Sequence, residues 1–144
     1  MRRLYRFFML PYREKKLLSQ SLFLILVVRI GLWVLPFNLL DRWLNSVTPV
    51  ADKAADWATI ECVARSVRSC SRFVPYATCL TQALATRVLL RMDGQPANLK
   101  IGVEKNRDEK FGAHAWVEID GRIVMGQLPR HHRFAVLKSN SVVL

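Results

Sequence analysis

A chain of 144 residues is long enough for one domain with a real hydrophobic core and too short for two. Hydrophobic residues make up 51% and charged residues 23%, which excludes a disordered chain, while 22 Lys and Arg against 11 Asp and Glu leave a formal net charge of +11. That excess calls for something acidic: an acidic peptide or partner protein, or an anionic membrane surface. No nucleic-acid partner is expected, because the sequence carries no zinc-finger spacing, no RNA-binding signature and no dense basic helix.

Met1 to Lys16 is basic and aromatic, with Arg2, Arg3, Arg6, Arg13, Lys15 and Lys16 interleaved with Tyr5, Phe7 and Phe8. An arm of this kind suits an anionic surface or an acidic protein. From Leu17 to Leu35 runs the most apolar segment. Its uncharged part, Leu17 to Val28, is 12 residues, short of the roughly 20 that a spanning helix needs. Continuing through Arg29 would set a guanidinium near the bilayer centre at a cost of about 3 kcal/mol on insertion scales. The expectation is a buried helix, or one that hides its apolar face against a partner, and neither a simple transmembrane helix nor a signal peptide, since no small-residue cleavage motif follows. Pro36 ends it, Phe37 to Leu44 forms a second short helix, and Ser46-Val47-Thr48-Pro49 forms a turn. Residues 1–48 thus read as a helical, partner-docking layer ahead of a core at 49–144, within a single domain 1–144.

Ala51 to Ser69 places Ala54, Trp57, Ala58, Ile60, Cys62, Val63 and Val67 on the apolar face of a helix, with Arg65 and Arg68 outside. Trp33, Trp43 and Trp57 are expected as core or partner-contact residues. Pro75 disfavours a helical Val74, and Thr78 is an N-cap, so Cys79 falls in the first turn of a helix that continues through Leu80, Ala83, Leu84, Val88 and Leu89 and stops near Asp93-Gly94. Beyond Pro96 the period changes to that of strands: Asn98 to Glu104, then a charged loop Lys105 to Lys110, then Ala113 to Ile119. Asp120-Gly121 is a two-residue hairpin turn into Arg122 to Met125, and Phe134 to Leu137 makes a further strand. Helices first and an antiparallel sheet after is an α+β order.

Two of these residues carry chemistry. Cys79 at a helix start and His114 on a strand 35 residues later supply a thiol and a base. Helix N-terminal amides and a nearby imidazole both favour the thiolate, the form that attacks a carbonyl. Cys62 and Cys70 read as small hydrophobes on a helix. An odd cysteine count without a metal pattern or a secretory cleavage site reads as a reducing, cytoplasmic setting, and no metal or cofactor is expected.

Pro75-Tyr76-Ala77-Thr78-Cys79-Leu80-Thr81-Gln82-Ala83-Leu84, Ala97 to Val103, and Ala113-His114-Ala115-Trp116-Val117-Glu118-Ile119-Asp120-Gly121 together resemble the lasso-peptide leader peptidase, the protease half of the B protein. The resemblance extends to Leu35-Pro36-Phe37 at the end of the leucine-rich helices. It implies a transglutaminase-like, papain-type fold and an intracellular cysteine protease. Such an enzyme removes the leader from a ribosomally made precursor peptide so that an ATP-dependent lasso cyclase can close the ring. The family's leader-recognition domain has no counterpart in this sequence, which implies a stand-alone recognition protein as partner. In these roles Cys79 attacks the scissile carbonyl, its backbone N–H binds the oxyanion, and His114 moves the proton. The family's acidic third member, about a dozen residues after the histidine, is replaced by Met125-Gly126-Gln127. Pairing outward from the Asp120-Gly121 turn sets His114 opposite Gln127, whose amide oxygen could orient the imidazole. Asp120 lies roughly 20 Å from His114 on the same count and is the lesser choice. Two other readings use the same residues: a non-catalytic or membrane-associated scaffold, and a transglutaminase-like acyl transferase.

Overall fold

The computed structural model describes residues 8–105, 111–129 and 134–140. They form four helices followed by a four-stranded antiparallel sheet, the α+β order that the sequence predicts. The helices are α1 (Tyr12–Val34), α2 (Phe37–Val47), α3 (Trp57–Ser71) and α4 (Cys79–Met92). The strands are β1 (Asn98–Lys105), β2 (Phe111–Ile119), β3 (Arg122–Met125) and β4 (Ala135–Asn140), in the sheet order β3-β2-β1-β4.

Everything is arranged around α4. Each residue from Ala83 to Arg91 is buried, because α1 and α3 cover one side of the helix while β1, β2 and β3 pack on another. A helix enclosed in this way needs no amphipathic stripe. Its ends are fixed as the sequence indicates. Thr78 Oγ1 accepts from the Thr81 N–H, and Gly94 adopts φ +82°, its N–H donating to Arg91 O. Leu84, Leu90 and Ala85 of α4 meet Ile25 and Val28 of α1, Ile60 and Val67 of α3, and Ala115, Val117 and Ile119 of β2 in one core.

Two arginines lie within that core. Arg87 is 1% exposed and donates through Nη2 to Asp41 Oδ1 of α2 at 2.8 Å. One turn on, Arg91 donates from Nε to Ala97 O at 3.2 Å and from Nη1 to Asn45 Oδ1 at 3.0 Å. Burial holds the Arg91 guanidinium below its ordinary pKa, neighbouring Arg87 adds to that, and Asp41 opposes both. α2 is thereby pinned to the helix that begins with Cys79.

The structure departs from the sequence reading in α3, which begins at Trp57 rather than near Ala51. Asp56 caps it, its carboxylate accepting from the Ala58 N–H at 3.2 Å and the Thr59 hydroxyl at 2.7 Å. The preceding residues are held elsewhere, since the Asp52 and Lys53 N–H groups both donate to Gly94 O. Trp33 and Trp43 are not core residues, being 84% and 51% exposed, while Trp57 is half-buried with Arg122 stacked over its ring at 4.5 Å. The arm at residues 1–7 and the loop at 106–110 lie outside the described residues.

Candidate active site

Cys79 opens α4. The first amides of a helix have no intrahelical acceptor, and their partial positive charge falls on whatever sits at that end. The Cys79 side chain is half-buried against the core, and its backbone N–H belongs to this first turn. The approach to it is constrained. Tyr76 is held at φ +60°, a left-handed conformation uncommon for a residue with a Cβ, and Gln82 reaches back from α4 to donate from Nε2 to Ala77 O at 3.1 Å. Arg29 of α1 lies over the Tyr76 ring at 5.7 Å.

His114 lies in β2, the strand against which α4 packs. Alternation sets Ala115, Val117 and Ile119 into the core, and His114, Trp116 and Glu118 share the other face. There the His114 ring stacks with Trp116 at a centroid distance of 6.2 Å and 18° between planes, and Phe134 lies 5.5 Å from it. Trp116 is fixed in turn by donation from Nε1 to Glu118 Oε1 at 2.8 Å, and Glu118 pairs with Lys100 at 2.7 Å. The Trp116 ring lies over Gly102, the β1 residue opposite His114, where a Cβ would come within 2.9 Å of it.

His114 Nε2 hydrogen-bonds to the backbone carbonyl of Gly126. A carbonyl only accepts, so Nε2 carries the proton, and in the neutral ring Nδ1 is the basic nitrogen. The pairing differs from the one counted along the sequence. Ile119 pairs with Arg122 and Glu118 with Ile123 as expected, but Val117 pairs with Met125, so Val124 is an extra residue in β3. The bulge shifts the register by one, so that Trp116 rather than Ala115 comes level with Gly126 and neither Gln127 nor Gly126 is the cross-strand partner of His114; the acceptor is the Gly126 carbonyl, just past the end of β3. Gly126 is at φ +85°, and a Cβ there would come 2.7 Å from Ala115 O and 3.1 Å from Trp116 Cα. Only a glycine fits that turn of the chain. Sequence reasoning passed over this residue, although a glycine directly after a short strand was the available signal.

Gln127 is exposed, next in the chain to the carbonyl. Asp120 is exposed at φ +49°, and with Gly121 at φ +76° it forms the hairpin turn at the far end of β2 from His114. Cys79 and His114 stand on packed elements, but no hydrogen bond joins them, and the His114 ring lies on the face of β2 opposite the core face against which Cys79 packs. The other two thiols are apart from this site. Cys70 is buried, its Sγ 3.4 Å from Leu18 O, and burial pushes its pKa up, whereas Cys62 is exposed. Among the described residues no group of three or more His, Cys, Asp or Glu could hold a metal ion. Arg130, His131, His132 and Arg133 lie outside the described residues.

Residues 22–139 match the Transglutaminase-like superfamily, and the chain belongs to it. No curated protein and no solved structure matches the chain. Membership supports thiol chemistry of the cysteine-protease or acyltransferase kind, with a four-helix, four-strand arrangement consistent with that fold.

Proposed function

We propose that this protein is a cysteine peptidase that removes the leader from a ribosomally made lasso-peptide precursor before an ATP-dependent cyclase closes the ring. The observation that carries the reading is a thiol in the first turn of the central helix, packed on a strand whose imidazole has its Nε2 proton committed to a backbone carbonyl. With Nε2–H held, Nδ1 takes the Cys79 proton, and the thiolate adds to the scissile carbonyl. The Cys79 N–H at the helix start receives the developing oxyanion. The imidazolium then protonates the leaving amine, and water, losing its proton to the same ring, hydrolyses the thioester and frees the thiol. Cys79 packs on the core side of β2 and the His114 ring lies on the other, so this mechanism requires a rearrangement in the complex with precursor that brings thiol and imidazole together. A leader-recognition protein acting in trans would deliver that precursor, and the net charge of +11 suits an acidic leader.

Two features favour a second reading, a scaffold that holds precursor and cyclase without cutting: the missing Cys79–His114 hydrogen bond, and a neutral carbonyl where the resembling family has an acid. Transglutaminase-like acyl transfer shares the first half of the mechanism and replaces water by an amine. Incubating precursor with the protein and its recognition partner, and reading products by mass spectrometry, separates all three. The peptidase gives two hydrolysed fragments that the Cys79→Ala variant does not give. An intact precursor that still binds means a scaffold, and a fragment joined to an amine means a transferase.

A further inference from the structure

α1 is apolar on both sides, and the protein covers only one of them. Ser21, Ile25 and Val28 are buried in the core, while Leu22, Phe23, Leu26, Ile30, Trp33 and Val34 form an exposed stripe on the opposite side, at spacings of three and four. Phe23 is 66% exposed, Ile30 59% and Trp33 84%. α2, two residues further on, adds exposed Leu39 and Trp43. This is the one helix among the described residues long and apolar enough to cross a bilayer by length and composition, yet its inner side is integral to the domain core. The sole charge between Lys16 and Asp41, Arg29, is half-buried and drawn onto the Tyr76 ring, which keeps the stripe free of charge. Cations flank it instead: Arg13 and Lys16 are exposed at its start, and Arg42 is exposed beside Trp43.

We infer that this face docks on an anionic lipid surface, with α1 lying in the plane of the interface and its inner side still packed on α3 and α4. Three observations favour lipid over a protein partner. Apart from the Trp33 indole N–H, the stripe's side chains offer no hydrogen-bonding group, whereas protein interfaces interleave polar contacts with apolar ones. Its most exposed large residue is Trp33, and exposed Trp43 follows on α2; tryptophan is the side chain that settles at the membrane–water boundary. The flanking cations and the +11 net charge complement anionic headgroups. The inference is independent of the chemistry at Cys79, so Cys79→Ala binds vesicles as the wild type does.

The test is co-sedimentation of the full chain with phosphatidylcholine vesicles, with and without phosphatidylglycerol, at low and high salt. The wild type pellets with the anionic vesicles, less with the neutral ones, and less at high salt. A triple variant, Phe23→Gln, Ile30→Gln and Trp33→Gln, alters only exposed positions, keeps its far-UV circular dichroism, and binds at least about tenfold more weakly. In cells the membrane-bound wild type is released by alkaline carbonate. Failure of the wild type to pellet, equal pelleting of the triple variant, or equal binding to neutral and anionic vesicles overturns the inference. Resistance to carbonate overturns it in favour of a spanning helix. Dimerisation that the triple variant abolishes, without vesicle binding, overturns it in favour of a second copy as the occupant.

Discussion

Gly126 does two things that no other residue type could do at its position: it turns the chain at φ +85° and lets its carbonyl reach His114 past the backbone of β2. Gly126→Ala meets both a strained dihedral, worth about 1–3 kcal/mol, and a collision with Ala115 O. The expected result is a fall in kcat of roughly 10–100-fold with KM little changed, since the carbonyl orients the ring and does not touch the peptide. Gln127→Ala, which leaves the carbonyl in place, keeps most of the rate. A large loss of kcat in Gln127→Ala with a small one in Gly126→Ala would return the orienting role to the glutamine. Thiol reactivity follows from burial at the same scale. Iodoacetamide at neutral pH should modify Cys62 and Cys79 and spare Cys70, whose thiol is pushed toward its protonated form, with peptide mapping as the readout. Labelling of Cys70 in the folded protein would contradict its placement.

At the scale of elements, the Arg87–Asp41 pair joins α2 to α4 inside the core. Asp41→Ala strands a guanidinium that is 1% exposed, and should cost about 3–5 kcal/mol of unfolding free energy in urea titration. Asp41→Leu combined with Arg87→Met removes both charges and should recover most of that loss, and a double variant as unstable as the single one would show that the pair itself is not the cause. The cap of α3 gives a pH dependence. The Thr59 hydroxyl, with the Thr59 and Ala58 amides, holds the Asp56 carboxyl below the usual range. A lowered folded pKa means that stabilisation is complete above the ordinary aspartate value near about 4 and is lost as pH falls through the lower folded value. Thermal unfolding of wild type and Asp56→Asn should therefore differ at neutral pH and converge in acid.

Much of this was legible in the sequence, and what was not has physical reasons. Pro36, the Thr78 cap, Gly94 and Asp120-Gly121 are local signals, and each marks a boundary found in the structure. The bulge at Val124 has no such signal. An extra residue in a strand shows only through its partner, and one residue of slip takes Gln127 out of register with His114, while the chain turning at Gly126 beyond β3 supplies the carbonyl that the imidazole meets. The buried arginines were hidden for a similar reason, because Asp41 and Asn45 lie 46 residues away from Arg87 and Arg91 and only the fold brings them together. The start of α3 was misjudged because Gly94 O, not the local sequence, holds Asp52 and Lys53 out of the helix.

For the whole molecule, the proposed function rests on a thiol at the head of an enclosed helix and an imidazole on the sheet that the helix packs against. Its central claim is that Cys79 is the nucleophile, and intact-protein mass spectrometry of the enzyme quenched in acid during turnover of the precursor tests it most directly. The account predicts a thioester adduct on Cys79 with the mass of the leader's acyl portion, absent from Cys79→Ala and greatly diminished in His114→Ala. Cleavage that persists in Cys79→Ala without any adduct would contradict it.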